Sequence, residues 1–157
     1  MTLRIIDLDW DHADGIYLRQ AQEKELAERY GQDDSGDPGV APTSVNITFF
    51  IVAYIDDQPV GCAALRALPR PDYPGDAEIK RMFVIPDKRG RRLGVASAIL
   101  KGLEERARNR GWTKVVLETG TPQPDAIRFY TREGYTPISN FGAYASVETS
   151  RCFERVI

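Results

Sequence analysis

Histidine is almost absent from this 157-residue chain: His12 is the only one. Cysteine occurs twice, as Cys62 and Cys152, far apart and without CxxC or Cys/His ligand spacing. That scarcity argues against a metal site and against a histidine-based nucleophile triad. Both cysteines sit in strand-like contexts and read as small buried hydrophobes. Long apolar runs are also missing, so no segment is expected to span a bilayer and no membrane partner is expected. The stretch Met1–Asp7 lacks the apolar core of a signal peptide, which makes a cytoplasmic protein the expectation. Charge of one sign is lacking too: 21 Lys and Arg against 23 Asp and Glu leave a net charge of −2. A dedicated nucleic-acid binder would be basic overall, so no nucleic-acid partner is expected, although a local basic site stays open.

What remains is the make-up of a globular chain long enough for one core, and residues 1–157 read as a single domain. Leu3 to Leu8 is a short β-type run. Asp9 or Asp11 is placed to cap a helix reaching about Tyr30, with Gly31 after it. The apolar positions of that helix are only loosely periodic, so its core face is poorly defined. Gln32 to Gly39 is an acidic loop, read either as a solvated connector or as a lid over a cationic substrate. Asn46 to Ile55 and Pro59 to Leu68 read as a hairpin around Asp56-Asp57-Gln58. Ala77 to Ile85 is a further strand, stopped by Pro86. From Leu93 to Arg110 the pattern turns helical, with Ala96, Ile99, Leu100, Leu103 and Ala107 on one face and Gly111 beyond the last turn. Lys114 to Glu118 reads as a buried strand. Pro124 suits the first turn of another helix, ended by Gly134. The tail alternates loosely through Ser146 to Val156 and reads as a last strand. Hairpins beside strand–helix–strand units imply an α/β (α+β) chain with a mixed sheet and helices on both faces.

The segment richest in chemistry is Arg89-Gly90-Arg91-Arg92-Leu93-Gly94-Val95-Ala96, between a strand and a helix. Gly90 and Gly94 allow close backbone approach to a ligand. The first amides of the helix lack internal partners, and its dipole adds partial positive charge there. Together these suit a phosphate, and neighbouring guanidinium groups strengthen the site. A Walker loop is excluded by the missing GK[ST], and a dinucleotide fingerprint by the missing G-x-G-x-x-G.

The surroundings of that turn resemble the GNAT N-acetyltransferase superfamily. Ala77–Val84 with Pro86 is similar to the family's fourth strand. Arg91-x-x-Gly94-x-Ala96 matches its acyl-CoA signature, [QR]-x-x-G-x-[GA]. Asp125-Ala126-x-x-Phe129-Tyr130-x-x-Glu133-Gly134-Tyr135 is similar to its later helix. The resemblance covers residues 77–135 well. The turn before Gly94 is longer than in common family versions, so Arg89-Gly90 is a second possible start. Arg91 is preferred because it keeps Ile99, Leu100 and Leu103 in the family's helical phase. Asp125 stands where asparagine is usual.

The resemblance implies a mostly antiparallel GNAT-like sheet and transfer of an acetyl group from acetyl-CoA, without a metal, to a primary amine of a small molecule or protein. It places the pyrophosphate on the turn, with Arg89, Gly90, Arg91, Arg92, Leu93, Gly94, Val95 and Ala96 as its residues. The pantetheine arm is expected along the backbone of Met82, Phe83 and Val84, and Asp125 and Tyr130 are expected beside the cofactor. Tyr130 is the expected general acid to the departing sulfur; from spacing alone it reads as a core tyrosine. Glu78 is the expected general base, directly or through water, with Glu118 as rival. An alternative is a non-catalytic acyl-CoA-binding sensor or regulatory module. The acceptor and the acyl-chain preference are not legible in the sequence, and a homodimer is the commonest assembly open to such a chain.

Overall fold

Turn chemistry decides where the chain doubles back. Asp56 and Asp57 both adopt left-handed φ, 48° and 67°, which makes the two-residue turn whose twist matches a hairpin. It joins β2 (Phe49–Ile55) to β3 (Gln58–Ala67). The computed structural model describes residues 2–31 and 38–157; the acidic run of Asp33, Asp34 and Asp37, expected as connector or lid, lies outside them. The other elements are β1 (Leu3–Asp7), α1 (Ala13–Tyr30), β4 (Ala77–Val84), α2 (Val95–Asn109), β5 (Lys114–Gly120), α3 (Pro124–Arg132), β6 (Thr136–Ile138) and β7 (Ser150–Val156). Short 3-10 turns lie at Pro86–Lys88 and Gly142–Ser146. The strands form one sheet in the order β1-β2-β3-β4-β5-β7-β6. Every neighbouring pair is antiparallel except β4 and β5.

Strand alternation sends adjacent residues of β2 to opposite faces. Ile51 lies against Gly102 of α2, while the Phe50 ring presses so close to Gly15 of α1 that a Cβ there would sit 2.5 Å from it. Helices therefore cover both faces. On α2 the predicted stripe holds for Ile99, Leu100, Leu103 and Ala107, all buried, while Ala96 in the first turn is only partly buried. Burial of each of the three large ones is worth about 1.5–3 kcal/mol. Cys62 and Cys152 are buried free thiols.

Several local expectations are corrected. The cap of α1 is His12, not Asp9 or Asp11: its Nδ1 accepts from the Asp14 amide at 3.0 Å. The second strand starts at Phe49 rather than Asn46, because Asn46 Oδ1 accepts from the Thr43 amide and folds that stretch into a turn. The strand β6 was not anticipated. Pro137 reads as a breaker, but β6 is the outermost strand, where a residue without an amide donor is tolerated. The last strand begins at Ser150, since Gly142–Ser146 turns instead and packs Phe141 and Tyr144 against Val116 and Cys152. On α2, Arg106 binds the carboxylate of Asp7.

The parallel pair positions the site. Pairing of β4 with β5 runs from Ala77–Val115 to Ile79–Leu117 and stops. Its closed end is clamped by Asp76, whose amide donates to the Lys114 carbonyl. The Asp76 carboxylate accepts from the amides of Thr113 (2.8 Å) and Lys114 (3.1 Å). Those bonds, the Thr113 amide first, hold its carboxyl below the ordinary range. At the open end Arg81 takes a left-handed φ of 56°, and the register against β3 slips between Cys62 and Ala64. The bulge bends β4, and beyond Ile79 the two strands part.

Candidate active site

The gap between the strands is a cleft in two halves. One half, of about 610 Å³, runs past Met82, Phe83 and Val84 to the turn at Arg89, Gly90, Arg91 and Gly94, with α1 and α3 as its sides. Gly90 and Gly94 have φ of 110° and 68°. A Cβ at Gly90 would meet nothing within 4 Å, and one at Gly94 only the Arg91 carbonyl at 3.9 Å. The turn is thus open above both glycines. Gly94 is the N-cap of α2 and no side chain caps that end, so its leading amides are offered to a ligand. Arg29, Arg89, Arg91, Arg128 and Arg132 line this half against the carboxylates of Glu25 and Asp125. The excess of guanidinium groups, with the helix terminus, suits a diphosphate.

Ten of the expected cofactor residues border this half: Met82, Phe83, Val84, Arg89, Gly90, Arg91, Gly94, Ala96, Asp125 and Tyr130. Arg92, Leu93 and Val95 do not. The Arg92 side chain is exposed, Leu93 packs on the core, and Val95 is part of it. The side chains of Leu93 and Val95 are turned to the core, which leaves those two residues only backbone to offer. Arg89 is held by three hydrogen bonds: Nε donates to the Val84 carbonyl at 2.7 Å, and Nη2 to both oxygens of Glu25 at 2.8 and 2.9 Å. Asp125 pairs with Arg128 on its own helix.

The other half, of about 770 Å³, is framed by α1, the bulge of β4, the end of β5 and the segment leading into β7. Its polar side chains include Glu23, Lys80, Arg81, Glu118, Tyr144 and Ser150. Glu118 accepts from Ser150 Oγ at 2.6 Å. Tyr130 borders both halves. Its ring is held edge-on by Tyr135 at 5.8 Å, and the Tyr135 hydroxyl is tied to Glu104 at 2.8 Å. Burial pushes the Tyr130 phenol above its usual range, so it keeps its proton at neutral pH.

Glu78 is placed differently from the expectation of a base facing the acceptor. It is 2% exposed and does not border the cleft. Tyr144 donates to its Oε2 at 2.6 Å and Arg66 to its Oε1 at 3.2 Å, with the Lys80 ammonium 3.6 Å away. Period-two alternation puts Glu78 and Lys80 on one face of β4, but Lys80 reaches the cleft while Glu78 lies behind Tyr144. Sequence reasoning missed Tyr144, Lys80, Ser150 and Gln22, a residue of α1 that borders both halves. Charge alternation along β4 was the one available signal. Phe49, Phe50 and Tyr54 do not border the cleft; Phe50 meets Trp10 edge-on at 5.2 Å, and Phe49 meets Trp112 at 6.1 Å.

A sheet split at a parallel pair, with an arginine-rich open turn at one end of the gap and a polar cavity at the other, defines a class of protein whose cleft suits an elongated anionic ligand. Residues 7–135 match the model of the acetyltransferase (GNAT) family, and the chain belongs to that family. An IAA acetyltransferase of Azospirillum brasilense is 34% identical over 106 residues, 68% of this chain and 66% of that protein. An aminoalkylphosphonate N-acetyltransferase of Salmonella typhimurium is 43% identical over 58 residues, 37% of this chain and 36% of that protein. The chain thus spans just under two thirds of the first relative and about a third of the second. A solved structure from Klebsiella pneumoniae, described as a candidate acyl-CoA N-acyltransferase, superposes with a TM-score of 0.78 at 27% identity, covering 99% of this chain and 97% of that one. A GNAT family acetyltransferase of Elizabethkingia anophelis, solved with acetyl-CoA bound, shares the fold at a TM-score of 0.67 and 18% identity, over 99% and 98% of the two chains. Among the described residues no helix is long and apolar enough to cross a membrane.

Proposed function

We propose that this chain transfers an acetyl group from acetyl-CoA to a primary amine of a small molecule or protein. The observation that carries the reading is the placement of Tyr130, a buried phenol bordering both halves of the cleft. The open turn from Gly90 to Gly94 and its guanidinium groups fit the diphosphate, and the parted edge of β4 fits the pantetheine arm. Acetyl-CoA supplies the acyl group activated as a thioester.

The residues divide the remaining work. An alkyl ammonium has a pKa of about 10 and must lose a proton before it attacks. Glu118 borders the acceptor half and takes that proton. Glu78 is screened by Tyr144, so its part is to hold Tyr144 and Lys80 in place rather than to meet the amine. The new C–N bond forms as the C–S bond breaks; Tyr130 gives its proton to the departing sulfur, and the second N–H proton, shed by nitrogen as the amide forms, passes to solvent, from which the phenol is restored. The polar acceptor half favours a hydrophilic amine over an apolar one.

The test is release of free thiol from acetyl-CoA across a panel of primary amines, amino acids and peptides. Turnover with at least one acceptor is expected. Tight binding of acetyl-CoA with silence on every amine would replace the enzyme by a binding module.

A further inference from the structure

Gln22 is the one cleft-lining side chain among the described residues whose hydrogen bonding is left half finished. It stands on the face of α1 turned to β4, and only 8% of it is exposed. Its Nε2 donates to the Met82 carbonyl at 3.0 Å, whereas its buried Oε1 has no partner. Buried amide oxygens are rarely left unpaired, because the loss of water goes uncompensated. The helix cannot easily slide to relieve this. Glu23 pairs with Arg81 at 3.4 Å and Glu25 with Arg89 at 2.8 Å, one on either side of the Gln22 contact.

The position matters as much as the vacancy. Any chain running from the Gly90–Gly94 turn to Tyr130 passes Met82, and Gln22 borders the cleft on both sides of that point. Met82 follows the bulge at Arg81 directly, so the strand edge is out of regular spacing there. A ligand amide that would pair with the Met82 carbonyl finds that oxygen already accepting from Gln22 Nε2, while the buried Gln22 Oε1 is left to accept.

We propose that Gln22 is a binding residue for the pantetheine arm, its Oε1 accepting from an amide N–H of the arm in place of the Met82 carbonyl that its Nε2 covers. The inference rests on the acetyl-CoA reading above. The side-chain amide then acts as one more peptide unit: it takes a hydrogen bond on its oxygen and passes one on through its nitrogen, each polarising the other as in a sheet ladder. An acceptor ammonium is a poorer match for this oxygen, since the carboxylates of Glu23 and Glu118 border the acceptor half and attract a cation more strongly.

Calorimetry with coenzyme A, and with the nucleotide half of coenzyme A that lacks the arm, tests this without knowledge of the acceptor. Gln22→Met, similar in volume but unable to pair, should weaken coenzyme A about fivefold to tenfold and leave the nucleotide half unchanged. Gln22→Glu keeps an acceptor oxygen while losing the donor to Met82, and should retain more coenzyme A affinity than Gln22→Met. Unchanged affinity in Gln22→Met overturns the proposal. So does equal loss in both variants, which would mean that only the tie to Met82 counts, or equal loss for both probes. Melting curves check folding; should Gln22→Met not fold, the same contrast is read on Gln22→Ala. Wild-type protein that binds neither probe would instead remove the acetyl-CoA reading itself.

Discussion

The two halves of the cleft are built from different materials. The half beside the turn offers exposed backbone, namely the edge of β4, two glycines in left-handed conformation and the head of α2, ringed by arginine side chains. The half beyond Tyr130 is mostly side chain, gathered from α1, β4, β5 and the segment before β7. Backbone sites need only the right turn and tolerate change in the residues that merely pass through. Side-chain sites fail one residue at a time. Tyr130 belongs to both halves, and under the proposed function it is the residue whose loss costs most.

Tyr130→Phe should give the largest effect. It removes the proton for the leaving sulfur without changing the ring contacts, and kcat in the thiol-release assay should fall about 100-fold. Coenzyme A affinity should stay near wild type; wild-type turnover in this variant would take Tyr130 out of the chemistry. Next come the two carboxylates. Glu118→Gln should lower kcat/KM about 30-fold and abolish its acidic limb, because a base works only when deprotonated and the rate otherwise falls as pH drops. Glu78→Gln should act on stability instead, costing about 3 kcal/mol by unbalancing a buried charge cluster, with the acidic limb kept. A reversal of the two profiles would make Glu78 the base. The smallest pair probes the backbone half. Gly94→Val forces a branched side chain into left-handed φ and should weaken coenzyme A about tenfold. Arg92→Ala, outside the cleft, should change affinity less than about twofold. If the arginine mattered more than the glycine, the view of this half as a backbone site would not stand.

Legibility followed the same division. The turn from Arg89 to Ala96 was readable because family-like motifs flank it in order; alone it reads equally as an ordinary basic strand-to-helix turn. The stripe Ile99, Leu100, Leu103 and Ala107 gave α2 from local spacing. By contrast Glu78 and Glu118 look alike in sequence: each is an acidic residue in a strand. Which of them faces the acceptor depends on where Tyr144 packs, and Tyr144 arrives from a turn some 66 positions along the chain from Glu78. Gln22 gave no signal, since a glutamine on a weakly amphipathic helix reads as solvent-facing. The strand β6 escaped because its proline is a breaker everywhere except at a sheet edge.

The sequence by itself determined most of the elements, the glycine turn at the head of α2 and the family, because each rests on contacts between residues a few positions apart or on a motif of fixed spacing. Only the tertiary structure decided where β4 and β5 part, which carboxylate meets the cleft and what covers the Met82 carbonyl. Those outcomes come from packing between distant segments around a bulge, and hydrophobic period and turn residues carry no record of it.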